Sequence, residues 1–270
     1  MLKITEFLTS RQNPKIKNLI RLHKHNERLE QGVFLIEGIK EIEKAVISGY
    51  TFKSVYFAPT IIKLEKLEEL LGENIPEHIY EVSEEIYGKI AYREMSGGVI
   101  VLALPKLHEL NLLTSSLNEN PLFLVIEGVE KPGNIGAIFR TADAAGIDGI
   151  MLCDSKTDLY NPNIVRASLG CVFTKPTAIT TSRKAIEWLK KMKIRILCTY
   201  LQQAIPYTSI DFTQPSAIVM GTEATGISDV WLDASDANIV IPMKGEADSM
   251  NVSTSAAVII FEACRQREAL

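Results

Sequence analysis

Along this chain, apolar residues fall into two regimes. Up to about residue 105, short apolar strands mix with amphipathic helices. Asn13-Pro14 opens a helix with proline at an early position, and Ile16, Leu19, Ile20 and Leu22 give it an apolar side. Val33–Ile36 reads as a strand. Gly38–Ser48 reads as a helix, with Ile39, Ile42, Val46 and Ile47 at helical spacing. Ser54–Phe57 and Val99–Leu104 read as further strands, and Lys63–Leu71 as a charged amphipathic helix. From Leu122 onward, fully apolar strands alternate with helices. The strands are Leu122–Ile126, Gly149–Cys153, Ile194–Thr199, Ala217–Met220 and Asn238–Pro242. The helices lie near Asn134–Ala145, Asn161–Leu169, Ser182–Met192 and Asn251–Gln266. Continuous apolar strands between helices predict a mostly parallel sheet covered on both faces.

Between the regimes lies PKLHELNLLTSSLNENP, polar and flanked by Pro105 and Pro121, which reads as a linker. The predicted organisation is therefore a small α/β domain over 1–105, a linker over 106–121 and a second α/β domain over 122–270.

Composition adds constraints. Hydrophobic residues are 46% and charged residues 23%, ordinary for a chain that buries a core. No apolar run reaches the ~18–20 residues of a membrane span, and MLKITEFLTSRQNPK carries no apolar signal region. These features predict a cytoplasmic protein without a membrane partner. Cys153, Cys171, Cys198 and Cys264 are widely spaced and form no C-x-x-C pair, so they read as buried thiols. His23 and His25 stand two apart and would not share a helix face. No metal site is expected.

The net charge is −4, yet residues 1–32 hold seven basic side chains against three acidic ones, a local excess of four. Arg11, Lys15, Arg21, Lys24 and Arg28 are the candidate phosphate contacts of this patch. The plainer reading is a solvated basic helix face.

Three segments carry candidate chemistry, each placed just after a predicted strand, where open α/β sheets bind ligands. IEGVEKPGNIGAIFRTADAAG puts Arg140 in an otherwise apolar, alanine-rich helix, where it faces either a phosphate or Asp143 three residues on. IVMGTEATG frames Glu223 between Gly221 and Gly226. It lacks the Lys-Ser/Thr of a P-loop and the G-x-G-x-x-G of a dinucleotide site. IVIPMKGEADSMNVSTSAAVIIFE runs from a strand through a polar loop to a helix entered at Ser249 and Asn251, residues that commonly cap.

Together and in this order, the three segments resemble the SpoU (TrmH-type) RNA methyltransferase family of the SPOUT superfamily. The match rests on Pro132, Asn134, Gly136 and Arg140, then Gly221, Glu223 and Gly226. It continues in Ile241, Pro242, Met243, Gly245, Ser249, Asn251, Val252 and Ser253. Two positions depart from the pattern: S-M-N-V-S replaces the usual S-L-N-V-S, and Lys131 replaces the acidic or amide residue often found before Pro132. SRQNPKIKNLIRL and ERLEQGVFLIEGIKEIEKA are similar to the substrate-binding domain found ahead of many such methyltransferases, itself similar to kink-turn-binding ribosomal proteins.

The resemblance implies an α/β-knot (SPOUT) methyltransferase domain with a deep trefoil knot, behind a small ribosomal-protein-like RNA-binding domain. It implies a homodimer through the first and last helices of the methyltransferase domain, and S-adenosylmethionine as methyl donor. The donor would be held near Thr199, Leu201, Gly221, Ile241, Met243 and Met250. The reaction implied is methyl transfer to a ribose 2′-OH, with Arg140 as the central residue and Asn134, Glu223, Ser249 and Asn251 positioning it and the ribose. Arginine is a poor base because it stays charged. Its expected role is therefore to grip an RNA phosphate, with the base left open between deprotonated Arg140, the phosphate and water. The extra N-terminal domain favours ribosomal RNA as substrate over tRNA. A non-catalytic ribosome-assembly factor and a Rossmann-type nucleotide enzyme are the competing readings. The first would be favoured by loss of Arg140, Glu223 or Asn251, and the second lacks its glycine fingerprint.

Overall fold

The computed structural model describes residues 2–92, 97–114 and 118–268. It divides into two compact units, one of Met1–Leu107 with Asp158–Thr174, the other of His108–Thr157 with Lys175–Leu270. Residues 115–117 of the stretch read as a linker lie outside the described residues.

The first unit is built on a five-stranded sheet. In chain order its elements are β1 (Glu6–Leu8), α1 (Pro14–Arg21), α2 (His25–Gln31), β2 (Phe34–Glu37) and α3 (Ile39–Ile47). Then come β3 (Phe52–Phe57), α4 (Leu64–Leu71), β4 (His78–Val82), α5 (Glu84–Ile90) and β5 (Val99–Ala103). The strand order is β1-β4-β3-β5-β2, with β5 antiparallel to both neighbours. Caps start the helices: Asn13 accepts the N–H of Lys15 with Pro14 inside α1, and Ser83 accepts that of Ile86 at α5. Ile16, Leu19 and Leu22 pack with Tyr56, Tyr80 and Val82 in one core. The returning segment brings Tyr160 onto Phe34, ring centres 4.0 Å apart and stacked, and Phe173 edge-on to Tyr50 at 4.9 Å. Burial pushes the phenol groups of Tyr50 and Tyr160 above their ordinary range.

The second unit contains α6 (Leu110–Thr114), β6 (Leu122–Glu127), α7 (Pro132–Ala144) and β7 (Gly149–Cys153). The chain then passes through α8 (Pro162–Ala167) and α9 (Cys171–Thr174) of the first unit. It returns for β8 (Thr177–Thr180), α10 (Ser182–Lys191), β9 (Arg195–Thr199), β10 (Ile205–Pro206), β11 (Ser216–Met220), α11 (Asp229–Leu232), β12 (Ala237–Val240) and α12 (Val252–Glu268). Seven strands run parallel in the order β10-β12-β9-β11-β6-β7-β8. β6, β7 and β11 are buried at every position, as strands covered on both faces must be. The polar stretch before β6 is not structureless: it forms α6, and Leu113 sits in the core beside Phe123 and Met151.

One topological fact bears on the site. β9 and β10 are joined by residues 200–204, yet β12 lies between them. The carboxyl ends of β9, β11 and β12 are therefore neighbours, and three loops distant in sequence converge there.

Candidate active site

Those three ends surround a pocket of about 400 Å3, within the size range of small-molecule sites. Thr199 and Leu201 line it from the end of β9, Gly221 and Glu223 from the loop after β11, and Ile241, Met243, Ser249 and Met250 from the segment between β12 and α12. All six residues expected at the donor site thus face one cavity. Thr199 donates its hydroxyl to the Val219 carbonyl at 2.8 Å, tying β9 to β11 at the pocket floor.

The loop after β11 is held shut by its own backbone. Thr222 and Gly226 exchange N–H···O bonds of 3.0 and 3.1 Å, and the Thr222 and Thr225 hydroxyls bond at 2.8 Å. Gly221 has no room for a side chain. A Cβ there would lie 2.3 Å from the carbonyl carbon and oxygen of Gly226 and 2.5 Å from the nitrogen of Ile227. Gly226 adopts φ +69°, a conformation open to glycine and rarely to others. Beyond the loop, the buried carboxylate of Glu127, at the end of β6, accepts the Ser228 N–H at 2.9 Å and the Ser228 hydroxyl. It also accepts the Ser182 hydroxyl at 3.3 Å, which in turn takes the Trp231 indole N–H at 2.8 Å. This network fixes the carboxyl-side end of the loop that carries Glu223.

At the pocket rim, residues from all three motifs meet. Asn134, in the first turn of α7, donates from Nδ2 to Glu223 Oε1 at 2.8 Å. Asn251 Nδ2 reaches Glu223 Oε1 at 3.2 Å and Asn134 Oδ1 at 3.1 Å. Asn251 also caps α12, its Oδ1 accepting the N–H of Ser253 at 3.0 Å, so capping and the polar cluster share one side chain. Lys131 contacts Glu223 Oε2. That lysine, and to a lesser degree Asn134, holds the Glu223 carboxyl below the usual carboxylate range. Arg140 is exposed further along α7. It lies about 9 Å from Asn134 along the helix axis at ~1.5 Å per residue, and among the described residues no ion pair engages it.

The model of the SpoU rRNA Methylase family matches residues 121–261, more than half of the chain. The chain belongs to that family. The MRM3-like substrate binding domain matches residues 13–101. The 23S rRNA (guanosine(2553)-2′-O)-methyltransferase RlmP of Bacillus subtilis is 30% identical over 94% of this chain and 97% of its own length. Among solved structures, the AdoMet-bound rRNA methyltransferase from Sinorhizobium meliloti superposes with a TM-score of 0.87. It shares 29% identity and covers 97% of this chain and 98% of its own. AviRb of Streptomyces viridochromogenes, a SpoU methyltransferase in complex with AdoMet, reaches 0.85 at 26% identity, over 96% of this chain and all of its own.

The expected RNA contacts are placed unevenly in the first unit. Arg11, Arg21 and Lys24 are exposed and Lys15 is half-buried. Arg11 pairs with Glu85, Lys15 with Glu6 at 3.0 Å, and Arg21 with Glu27 at 2.8 Å. Arg28 departs from the expectation of a phosphate ligand. It is 4% exposed, with Nε on Asp158 at 2.7 Å and Nη1 on the carbonyls of Leu22 and His23 at 2.9 Å each. A guanidinium so engaged is structural. Lys131 stands beside the cluster, against Glu223, and is not among the residues singled out from the sequence. Its signal was the departure just before Pro132, which reads only as a mild mismatch until Glu223 is seen beside it. Among the described residues, no helix is long and apolar enough to cross a membrane, and no three His, Cys, Asp or Glu side chains gather as a metal site.

Proposed function

We propose that this protein is an S-adenosylmethionine-dependent methyltransferase that methylates a ribose 2′-OH of ribosomal RNA. The observation that carries this is the meeting of Asn134, Glu223 and Asn251, from three separate segments, at the rim of one pocket. The B. subtilis relative, a 23S rRNA 2′-O-methyltransferase, and AviRb, which binds AdoMet, support the substrate and donor.

The pocket suits the donor. Gly221 and the Thr222–Gly226 bridge present backbone at a wall that admits no Cβ, and Ile241, Met243 and Met250 offer apolar surface to an adenine ring. Bound there, S-adenosylmethionine supplies an activated methyl on a sulfonium. The remaining work falls to this chain: orienting the ribose hydroxyl and relieving it of its proton. Asn134, Glu223, Ser249 and Asn251 orient the ribose through hydrogen bonds. Arg140, exposed and in no ion pair among the described residues, grips the adjacent phosphate in a bidentate contact.

Three further features belong to the same reading. The bridging of β12 by residues 200–204 supports a knotted chain, an exception to the usual rule of unthreaded connections. Phe261, half exposed on α12, supports a homodimer through α7 and α12. Arg11, Lys15, Arg21 and Lys24 bind RNA phosphates, and action on RNA fits a cytoplasmic protein that needs no metal. The test is a thermal melt with S-adenosylmethionine and, separately, NAD. Saturating methyl donor at ~100 times its Kd should stabilise by about 2.7 kcal/mol and NAD should not. Stabilisation by NAD alone would overturn the reading.

A further inference from the structure

Lys131 is a costly residue where it stands. It occupies the N-cap of α7, directly before Pro132, and makes no side-chain capping bond. An N-cap favours Asp, Asn, Ser or Thr, whose oxygens accept the free N–H groups. A cation at a helix N-terminus also opposes the helix dipole. Local helix stability therefore does not explain this lysine.

Its contact does suggest a role. The two oxygens of Glu223 are divided: Oε1 takes the amides of Asn134 and Asn251, and Oε2 takes Lys131. The lysine side chain is 70% exposed and that of Glu223 32%, so the pair is worth little and is readily exchanged. A second lysine stands on the adjoining loop. Lys156, after β7, is 76% exposed and pairs with Glu130 at 2.7 Å, while the Thr157 hydroxyl bonds the Glu130 carbonyl at 2.6 Å. Lys156 and Lys131 thus lie over the carboxyl ends of adjacent strands, and Lys131 stands directly against the Asn134–Glu223–Asn251 cluster. Each is held by a weak, exposed carboxylate contact.

We propose that Lys131 is a ligand for an RNA backbone phosphate: it caps Glu223 Oε2 in the free protein and leaves it when the substrate arrives. A phosphate oxygen binds an ammonium as a carboxylate oxygen does, so RNA on this face competes for a lysine held only by an exposed pair. Departure of the lysine opens Oε2 to a hydroxyl donor of the ribose, so that the arrangement of Glu223 becomes dependent on RNA. Lys156 extends the same strip towards a neighbouring phosphate. This inference rests on the proposed role of Glu223 in ribose positioning.

The test measures binding of an unmodified 23S rRNA transcript across a salt series for the wild type, Lys131→Gln and Lys131→Arg. Methyl transfer and S-adenosylmethionine affinity are measured alongside. Lys131→Gln should weaken RNA binding about three- to tenfold and make the salt slope shallower by about 0.7–0.9, the loss of one phosphate contact. KM for RNA should rise by a similar factor with donor affinity unchanged, and Lys131→Arg should restore the slope. An unchanged slope in Lys131→Gln, or a loss that arginine does not rescue, would overturn the proposal. A wild type that binds this RNA but transfers no methyl counts against the proposed activity instead, and the slope comparison still decides Lys131.

Discussion

Substituting Gly221 by alanine tests whether the loop after β11 is the wall of a donor site. The new methyl would sit 2.3 Å from both the carbonyl carbon and the oxygen of Gly226 and 2.5 Å from the Ile227 nitrogen. Relief to ordinary contact at ~3.5 Å or more requires the two backbone segments to part by about 1 Å. No side chain can give way, because every clashing atom is main chain. Parting the segments breaks the two bonds between Thr222 and Gly226, at ~1 kcal/mol each. The variant should therefore lose about 2 kcal/mol of stability, a fall in Tm of roughly 4–8 °C. Restoring the closed wall around a ligand must overcome at least the same amount, so the affinity for S-adenosylmethionine should fall by about 30-fold or more. Titration calorimetry on the folded variant reads the affinity, and a melt reads the stability. Wild-type affinity in Gly221→Ala would refute the assignment of this loop to the donor site.

Three other variants probe charge. Arg28→Ala should destabilise the protein by about 3–5 kcal/mol, because it leaves the half-buried Asp158 without its guanidinium partner. It should leave the salt slope of RNA binding unchanged, whereas joint replacement of Arg21 and Lys24 should make that slope shallower with little effect on Tm. The Arg265 guanidinium, with help from the Gln266 amide, holds the Glu262 carboxyl at about 2. A carboxyl with a depressed folded-state pKa stabilises above its unfolded value of ~4.5 and loses that contribution as pH falls towards 2. Urea unfolding of Glu262→Gln should therefore show a deficit against the wild type at pH 6 that narrows steadily below pH 4.5, and a pH-independent deficit would contradict this linkage.

The sheet of the second unit was legible because its central strands leave no ambiguity. Leu122–Glu127 and Ser216–Met220 are buried throughout, and a short apolar run bounded by turns has few other uses. The edges were harder. Thr177–Thr180 carries two threonines and an exposed isoleucine at a sheet margin, so it lacks the apolar run that marked its neighbours. Leu110–Thr114 hides one buried leucine in a polar stretch. The site motifs were readable as residue types but not as partners. Nothing local distinguishes Arg28 from Arg21, since the Asp158 that buries it lies 130 positions away. Lys131 reads as a mismatch before a proline until Glu223, 92 positions on, is brought beside it. Conversely, the position of Asn251 before an apolar helix predicts a cap, and it caps α12. Its second bonds, to Asn134 and Glu223, arise from the order of the strands and from no local pattern.

In the proposed reaction this chain methylates a ribose hydroxyl with Arg140 nearest the chemistry. Mass-spectrometric mapping of a 23S rRNA transcript after incubation with S-adenosylmethionine, for the wild type and Arg140→Ala, tests it most directly. The wild type should give a discrete 2′-O-methylated nucleotide and Arg140→Ala none, although that variant still binds the methyl donor. Methylation on a base, or an Arg140→Ala variant as active as the wild type, would contradict it.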